Sequence, residues 1–120
     1  MRDLAELNTA VVAWIADEAA ATSTYGDINT WDVSAISDFS RLFKNRTTFN
    51  SDISNWDVSN GTNFEKMFYF AHAFNQDISS WNVSSGTNFR SMFQSASSFN
   101  QDISSWNVSN GTDFLSYICH

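Results

Sequence analysis

The eleven residues "FNQDISSWNVS" occupy positions 74 to 84 and recur unchanged from 99 to 109, one step of a 25-residue period that runs through most of the chain. A fixed period of that length restricts the fold to units that stack, because one such unit cannot bury its own apolar face alone. Trp31, Trp56, Trp81 and Trp106 mark the period, with Asp27, Asp52, Asp77 and Asp102 and the isoleucines 28, 53, 78 and 103 keeping their places ahead of them. Val33, Val58, Val83 and Val108 follow, and phenylalanine fills two more columns, Phe39, Phe64, Phe89 and Phe114, and Phe49, Phe74 and Phe99. The copies divide the chain at 24–48, 49–73, 74–98 and an incomplete 99–120, all one domain by length.

Residues 1–23 match none of these columns. Leu4, Leu7, Val11, Trp14, Ile15 and Ala19 fall at intervals of three or four, which predicts one amphipathic helix over residues 3–21. The first coil of a stack would otherwise expose its core, so this helix reads as an N-terminal cap, with Gly26 punctuating the turn that follows.

Within each copy, "DISSWNVS" mixes β-branched and aromatic residues with serine and predicts a short strand at Ile, Trp and Val. The next stretch, "SNGTNFEKMFYFA" in the second copy, starts polar and then sets Phe64, Met67, Phe68 and Ala71 at helical intervals, which predicts a short helix. Strand, turn, short helix and return loop repeated this way predict an α/β fold: a right-handed leucine-rich-repeat-like solenoid of about four strand-plus-short-helix coils, its strands in parallel about 4.8 Å apart. Gly61, Gly86 and Gly111 then mark a tight turn where the first copy carries Ile36, and Asn50, Asn75 and Asn100 read as inward amides that bond neighbouring backbone.

Taken together, "FNQDISSWNVSNGT" and the following "F", two residues and "MF" resemble the BspA-like, or DUF285, 25-residue surface-protein repeat, over residues 25 to 118. That resemblance implies a leucine-rich-repeat-related solenoid on surface or extracellular proteins, working in adhesion or partner binding, with no catalytic residues to carry over. Members of the family usually have an apolar residue where Gly61, Gly86 and Gly111 stand, and many are longer arrays with a secretion signal.

Charge narrows the partners. A net charge of -7 with six Lys and Arg leaves no basic patch for nucleic acid. No apolar run reaches the roughly 18 residues that cross a bilayer, so membrane insertion is not expected and the chain reads as soluble. The N-terminus alternates polar and apolar residues, unlike a secretory signal. One cysteine, Cys119, excludes an internal disulfide.

Stacking turns every polar column into a row. Asp27, Asp52, Asp77 and Asp102 form one, and Asp32 and Asp57 continue into Asn82 and Asn107 in another. Close carboxylates repel unless they are solvated, hydrogen-bonded or bridged by a cation. Calcium takes oxygen ligands of this kind, which makes the four aspartates weak metal candidates, but no calcium-loop spacing accompanies them and turn capping is the preferred reading. Enzymatic readings fare worse: His72 and His120 stand in no motif, and Cys119 beside His120 lacks an orienting third group. Sequons at Asn45, Asn60, Asn82, Asn107 and Asn110 read mainly as repeat chemistry, with Asn45 and Asn60 the better glycan acceptors.

The functional expectation is a non-catalytic module for protein interaction or adhesion, without a cofactor, whose polar face comprises Asp52, Ser54, Asp57, Asp77, Ser79, Asn82, Asp102, Ser104 and Asn107. Two alternatives stand beside it. Because the fourth copy stops at "DFLSYICH", Leu115, Tyr117 and Ile118 form either a final covering turn or an assembly end for self-association. The other is calcium-dependent glycan binding, for which Tyr69 and Phe70 are the aromatics to inspect.

Overall fold

The computed structural model describes residues 1–119. Asp3 starts the first helix, α1 (Leu4–Ala16), by accepting the Glu6 N–H on its carboxylate, and Leu7, Ala10, Val11 and Trp14 form its buried stripe. The single helix expected over residues 3–21 is broken at Asp17, whose backbone is extended. Its own N–H closes α1 onto the Ala13 carbonyl, while its carboxylate accepts the Ala20 N–H and opens α2 (Glu18–Tyr25). Asp17 thus serves two helix ends at once, a choice that apolar periodicity does not register. Of α2 only Ala21 is buried, and Gly26, at φ 79°, ends it.

The helical segment is tied to the first two coils at three points. The Trp14 indole donates to Ser51 Oγ at 3.0 Å, its ring meets Trp31 edge-on at 5.9 Å, and the Met1 amino group donates to the Asp32 carbonyl at 2.9 Å.

The expected strand at Ile, Trp and Val is a tight turn. In each coil an aspartate carboxylate accepts the N–H two residues on, Asp27 from Asn29, Asp52 from Ser54, Asp77 from Ser79 and Asp102 from Ser104, all at 2.9 Å. The tryptophan N–H then closes back on the isoleucine carbonyl. The reason is geometric. Ile and Trp are three residues apart, and a strand would send them to opposite faces, whereas a turn sends both into the core. From there the Trp indole donates to the isoleucine carbonyl of the preceding coil: Trp56 to Ile28 at 2.7 Å, Trp81 to Ile53 and Trp106 to Ile78 at 3.0 Å.

The expected helix is replaced by the segment that joins coils. Phe64, Lys66, Phe68 and Phe70 donate their backbone N–H groups to Asn88, Arg90, Met92 and Gln94 of the next coil. Between them Met67, Tyr69 and Ala71 close onto the carbonyls three residues back. Phe64, Met67, Phe68 and Ala71 still point inward, which is why their spacing mimics a helix. Lys66 and Phe70 adopt the left-handed conformation, at φ 53° and 57°, and so do their counterparts Arg41, Asn45, Ser91, Ser95 and Ser116. Parallel bridges link Asp38, Asn63, Asn88 and Asp113, and β1 (Phe93–Gln94) pairs in parallel with β2 (Ile118–Cys119). Among the described residues, α-helix is confined to α1 and α2.

Residues one period apart therefore lie over one another and their rings stack. Phe39, Phe64, Phe89 and Phe114 follow at 5.6, 5.5 and 5.3 Å; Phe43, Phe68 and Phe93 at 5.5 and 5.4 Å; Phe49, Phe74 and Phe99 at 5.9 and 6.0 Å. Near-parallel offset rings at these separations add attraction beyond the area they bury.

Candidate interaction surfaces

Two surfaces remain once the core is accounted for: the polar turn columns along the side and the last coil.

On the side, the aspartates and asparagines act on their own turns. Asp57 accepts from the Ser59 amide and hydroxyl, Asn82 from the Ser84 amide and Asn107 from the Ser109 amide. Ser54, Ser79 and Ser104 present their amides to Asp52, Asp77 and Asp102 rather than a free strand edge. A third such column, Asp38, Asn63, Asn88 and Asp113, caps the start of each ladder segment. Turn chemistry thus occupies one carboxylate oxygen of Asp52, Asp57, Asp77 and Asp102 and the single amide oxygen of Asn82 and Asn107, which leaves the second carboxylate oxygen or the NH2 group on an exposed, pre-ordered row.

Serine partners hold several of these carboxyls below the ordinary aspartate value of 3.8. The cause is the hydroxyl and then the amide of Ser34 for Asp32, Ser59 for Asp57, Ser79 for Asp77 and Ser104 for Asp102. A depressed folded-state pKa contributes stability that is present above 3.8 and is lost as pH falls through the lowered value. Ser59→Ala is therefore expected to move Asp57 back toward 3.8, read as the pH dependence of its carboxyl carbon by NMR.

Asn50, Asn75 and Asn100 link coils, though from the surface rather than from within. All three are exposed; Asn50 Oδ1 accepts the Asn75 N–H at 2.9 Å and Asn75 Oδ1 the Asn100 N–H at 2.8 Å. Gln76 and Gln101 reinforce the row by donating to Asn50 and Asn75. The amide of Asn60 is likewise engaged, donating to the Ser34 carbonyl at 2.6 Å.

Metal and small-molecule sites find less support in the geometry. Among the described residues no three His, Cys, Asp or Glu side chains lie together as a metal-holding group. A cavity of about 70 Å³ opens between the helical segment and the junction of the first and second coils, lined by Trp14, Ile15, Glu18, Thr48, Phe49, Asn50 and Ser51. That is room for a few waters and far below a cofactor pocket. Tyr69, Phe70 and His72 cluster on the side of the second coil, with Lys44 and Lys66 over the Tyr69 ring at 5.7 and 5.3 Å. His120, and with it the Cys119–His120 pair, lies outside the described residues.

The last coil differs from those above it. Phe39, Phe64 and Phe89 are fully buried, whereas Phe114 in the same column is 38% exposed, beside Leu115 at 57% and Ile118 at 44%. Ile103 and Val108 are also only partly covered. Of the three residues expected at this end, Leu115 and Ile118 face outward. Tyr117 turns in, its ring edge-on to Phe89, Phe93 and Phe114. Phe114 belongs to the surface as well; its place as the last member of a buried column was the available signal.

Burial pushes the Tyr117 hydroxyl up to about 12 from 10.0. A raised folded-state pKa contributes stability that is complete below 10.0 and is lost as pH rises toward about 12. Spectrophotometric titration is expected to show one tyrosine ionising late, and Tyr117→Phe to remove that step.

A family model described as "Mycoplasma protein of unknown function, DUF285" matches residues 6–119, nearly the whole chain. The chain belongs to the DUF285 family. The match takes in α2 and all but the first two residues of α1 as well as the four coils. No curated protein and no solved structure matches the chain. Among the described residues of this DUF285 chain, no helix is long and apolar enough to cross a membrane.

Proposed function

We propose that this chain is a non-catalytic binding module, a stacked-coil solenoid of the right-handed, leucine-rich-repeat-related kind, and that it engages a protein partner through the polar rows along its side. The carrying observation is that Asp52, Asp77, Asp102, Asp57, Asn82 and Asn107 stand exposed in rows and each accepts an N–H of its own turn.

A glycan is the alternative ligand for the same rows. Asp52, Asp77, Asp102, Asp57, Asn82 and Asn107 are held by their own turns, so a partner would pay little entropy to order them. Surface or extracellular placement, adhesion and self-association are parts of this proposal that rest on the family resemblance and on the repeat pattern.

Affinity capture with the intact chain tests this reading when the wild type is compared with Asp77→Ala/Asp102→Ala. Loss of the partner by a variant that keeps the wild-type circular dichroism supports the polar rows, and equal retention by both would sink the reading.

A further inference from the structure

The coils repeat closely enough to serve as one another's reference. In three columns on the segments that join coils, the second coil departs from its neighbours. Tyr69 stands where they have Lys44 and Gln94, Phe70 where they have Asn45 and Ser95, and His72 where they have Thr47 and Ser97. Stacking does not require these rings, since the coils on either side do without them. The fold also imposes a left-handed backbone on the Phe70 column, at φ 57° for Phe70 and 62° and 59° for Asn45 and Ser95. Asparagine tolerates that conformation far better than a bulky phenylalanine does. A ring kept at the surface in a disfavoured conformation, against the pattern of its own repeat, argues for a role outside packing.

Positive charge gathers on the same side. Every Lys and Arg except Arg2 lies in these joining segments, in a chain whose net charge is -7. Arg41 and Arg90 are engaged by Glu65 at 3.1 Å and Asp113 at 3.5 Å. The Lys44 and Lys66 ammoniums form no ion pair among the described residues. Both lie over the Tyr69 ring, at 5.7 and 5.3 Å, each coming from a different coil. Tyr69 packs against Phe70 at 4.6 Å, and Phe70 against His72 at 5.7 Å. Two ammoniums thus converge on one half-buried ring, with a second half-buried ring and an exposed imidazole alongside.

We infer that this patch binds an acidic oligosaccharide, a sugar chain carrying carboxylate or sulfate groups, at a site separate from the polar rows. The ammoniums supply the complementary charge, and the rings supply a flat apolar surface on which the C–H face of a sugar packs. A peptide has less to hold here. Docking as an added strand needs a free ladder edge, and on this side the N–H groups of Arg41, Phe43, Lys66 and Phe68 are already bonded to the next coil. Two lysines match one or two acidic groups, not the dense phosphate row of a nucleic acid.

The probe is tetragalacturonate, titrated into the full chain with amide and aromatic resonances followed by NMR, beside a sulfated tetrasaccharide as the second acidic sugar. Expected is saturable binding of one or both, with shifts confined to Lys44, Lys66, Tyr69, Phe70 and His72 and an affinity that falls with added salt. The tighter ligand names the acidic group. Phe70→Ser and Lys44→Gln/Lys66→Ser install residues that other coils carry in the same columns, so the fold should hold, and each should weaken binding about tenfold or more. Without ligand, Phe70→Ser should keep or raise the denaturation midpoint; a clear fall would make the ring a packing residue and overturn the inference. Equal binding of neutral maltotetraose overturns it by removing the need for charge, and equal binding of tetraglutamate by making an acidic peptide the occupant. Tighter binding of a single-stranded oligonucleotide, shifts centred elsewhere, or no saturation by either acidic sugar at about 10 mM also overturns it.

Discussion

Phe68→Ala is expected to destabilise the protein by about 3–5 kcal/mol, the range for truncating a large buried aromatic. Phe68 is fully buried at the centre of the stack, with Phe74 at 4.2 Å where the next coil begins, Phe43 and Phe93 at 5.5 and 5.4 Å above and below, and Trp81 at 6.2 Å. Neighbours on all sides belong to coils held by backbone hydrogen bonds, so the cavity cannot close by a local shift. Domains of this size have a total stability of about 5–15 kcal/mol, so such a loss is a large share of the whole. Urea titration followed by tryptophan fluorescence measures it. A loss below about 1 kcal/mol would mean that the coils are not close-packed around this ring.

Gly86→Ala is the second large effect, about 2–3 kcal/mol by overpacking. An added Cβ would meet the Phe89 ring at Cζ and Cε2 and the Val83 carbonyl oxygen at 3.0 Å. Phe89 has nowhere to go, since it is stacked between Phe64 at 5.5 Å and Phe114 at 5.3 Å. Position within the stack should decide the size of the effect. Gly111→Ala makes the same contact with Phe114, but that ring is 38% exposed and can swing outward, so a cost of about 1 kcal/mol or less is expected. Equal effects at the two sites, read from denaturation midpoints, would count against this account.

These glycines also show where sequence reading stopped. Gly61, Gly86 and Gly111 do close tight turns, each N–H bonding the valine carbonyl three residues back, although Gly26 is the glycine with positive φ. The others are glycine because a phenylalanine ring from their own coil lies against them. That is a fact of packing, and no local rule contains it.

The side surface was largely legible. Aspartate or asparagine two residues before a serine is turn chemistry, and the columns Asp52, Asp77 and Asp102 act on Ser54, Ser79 and Ser104 accordingly. What misled was treating Ile and Trp as strand residues although three positions separate them. The end surface was legible only in part: Leu115 and Ile118 were named, but Phe114 was counted with its buried column.

By itself the sequence determined the period, the columns that fill the core, the helical segment ahead of the first coil and the acidic, single-cysteine composition that allows no internal disulfide. These follow from composition and spacing, which every fold of the chain must respect. Only the tertiary structure decided which segment of each repeat carries the bonds between coils. Turns closing three residues back and a helix place the same side chains inward, so the apolar pattern is identical for both. The direction of the alternate peptide groups separates them, and that direction is fixed by left-handed residues such as Lys66 and Ser91, whose partners lie one coil away.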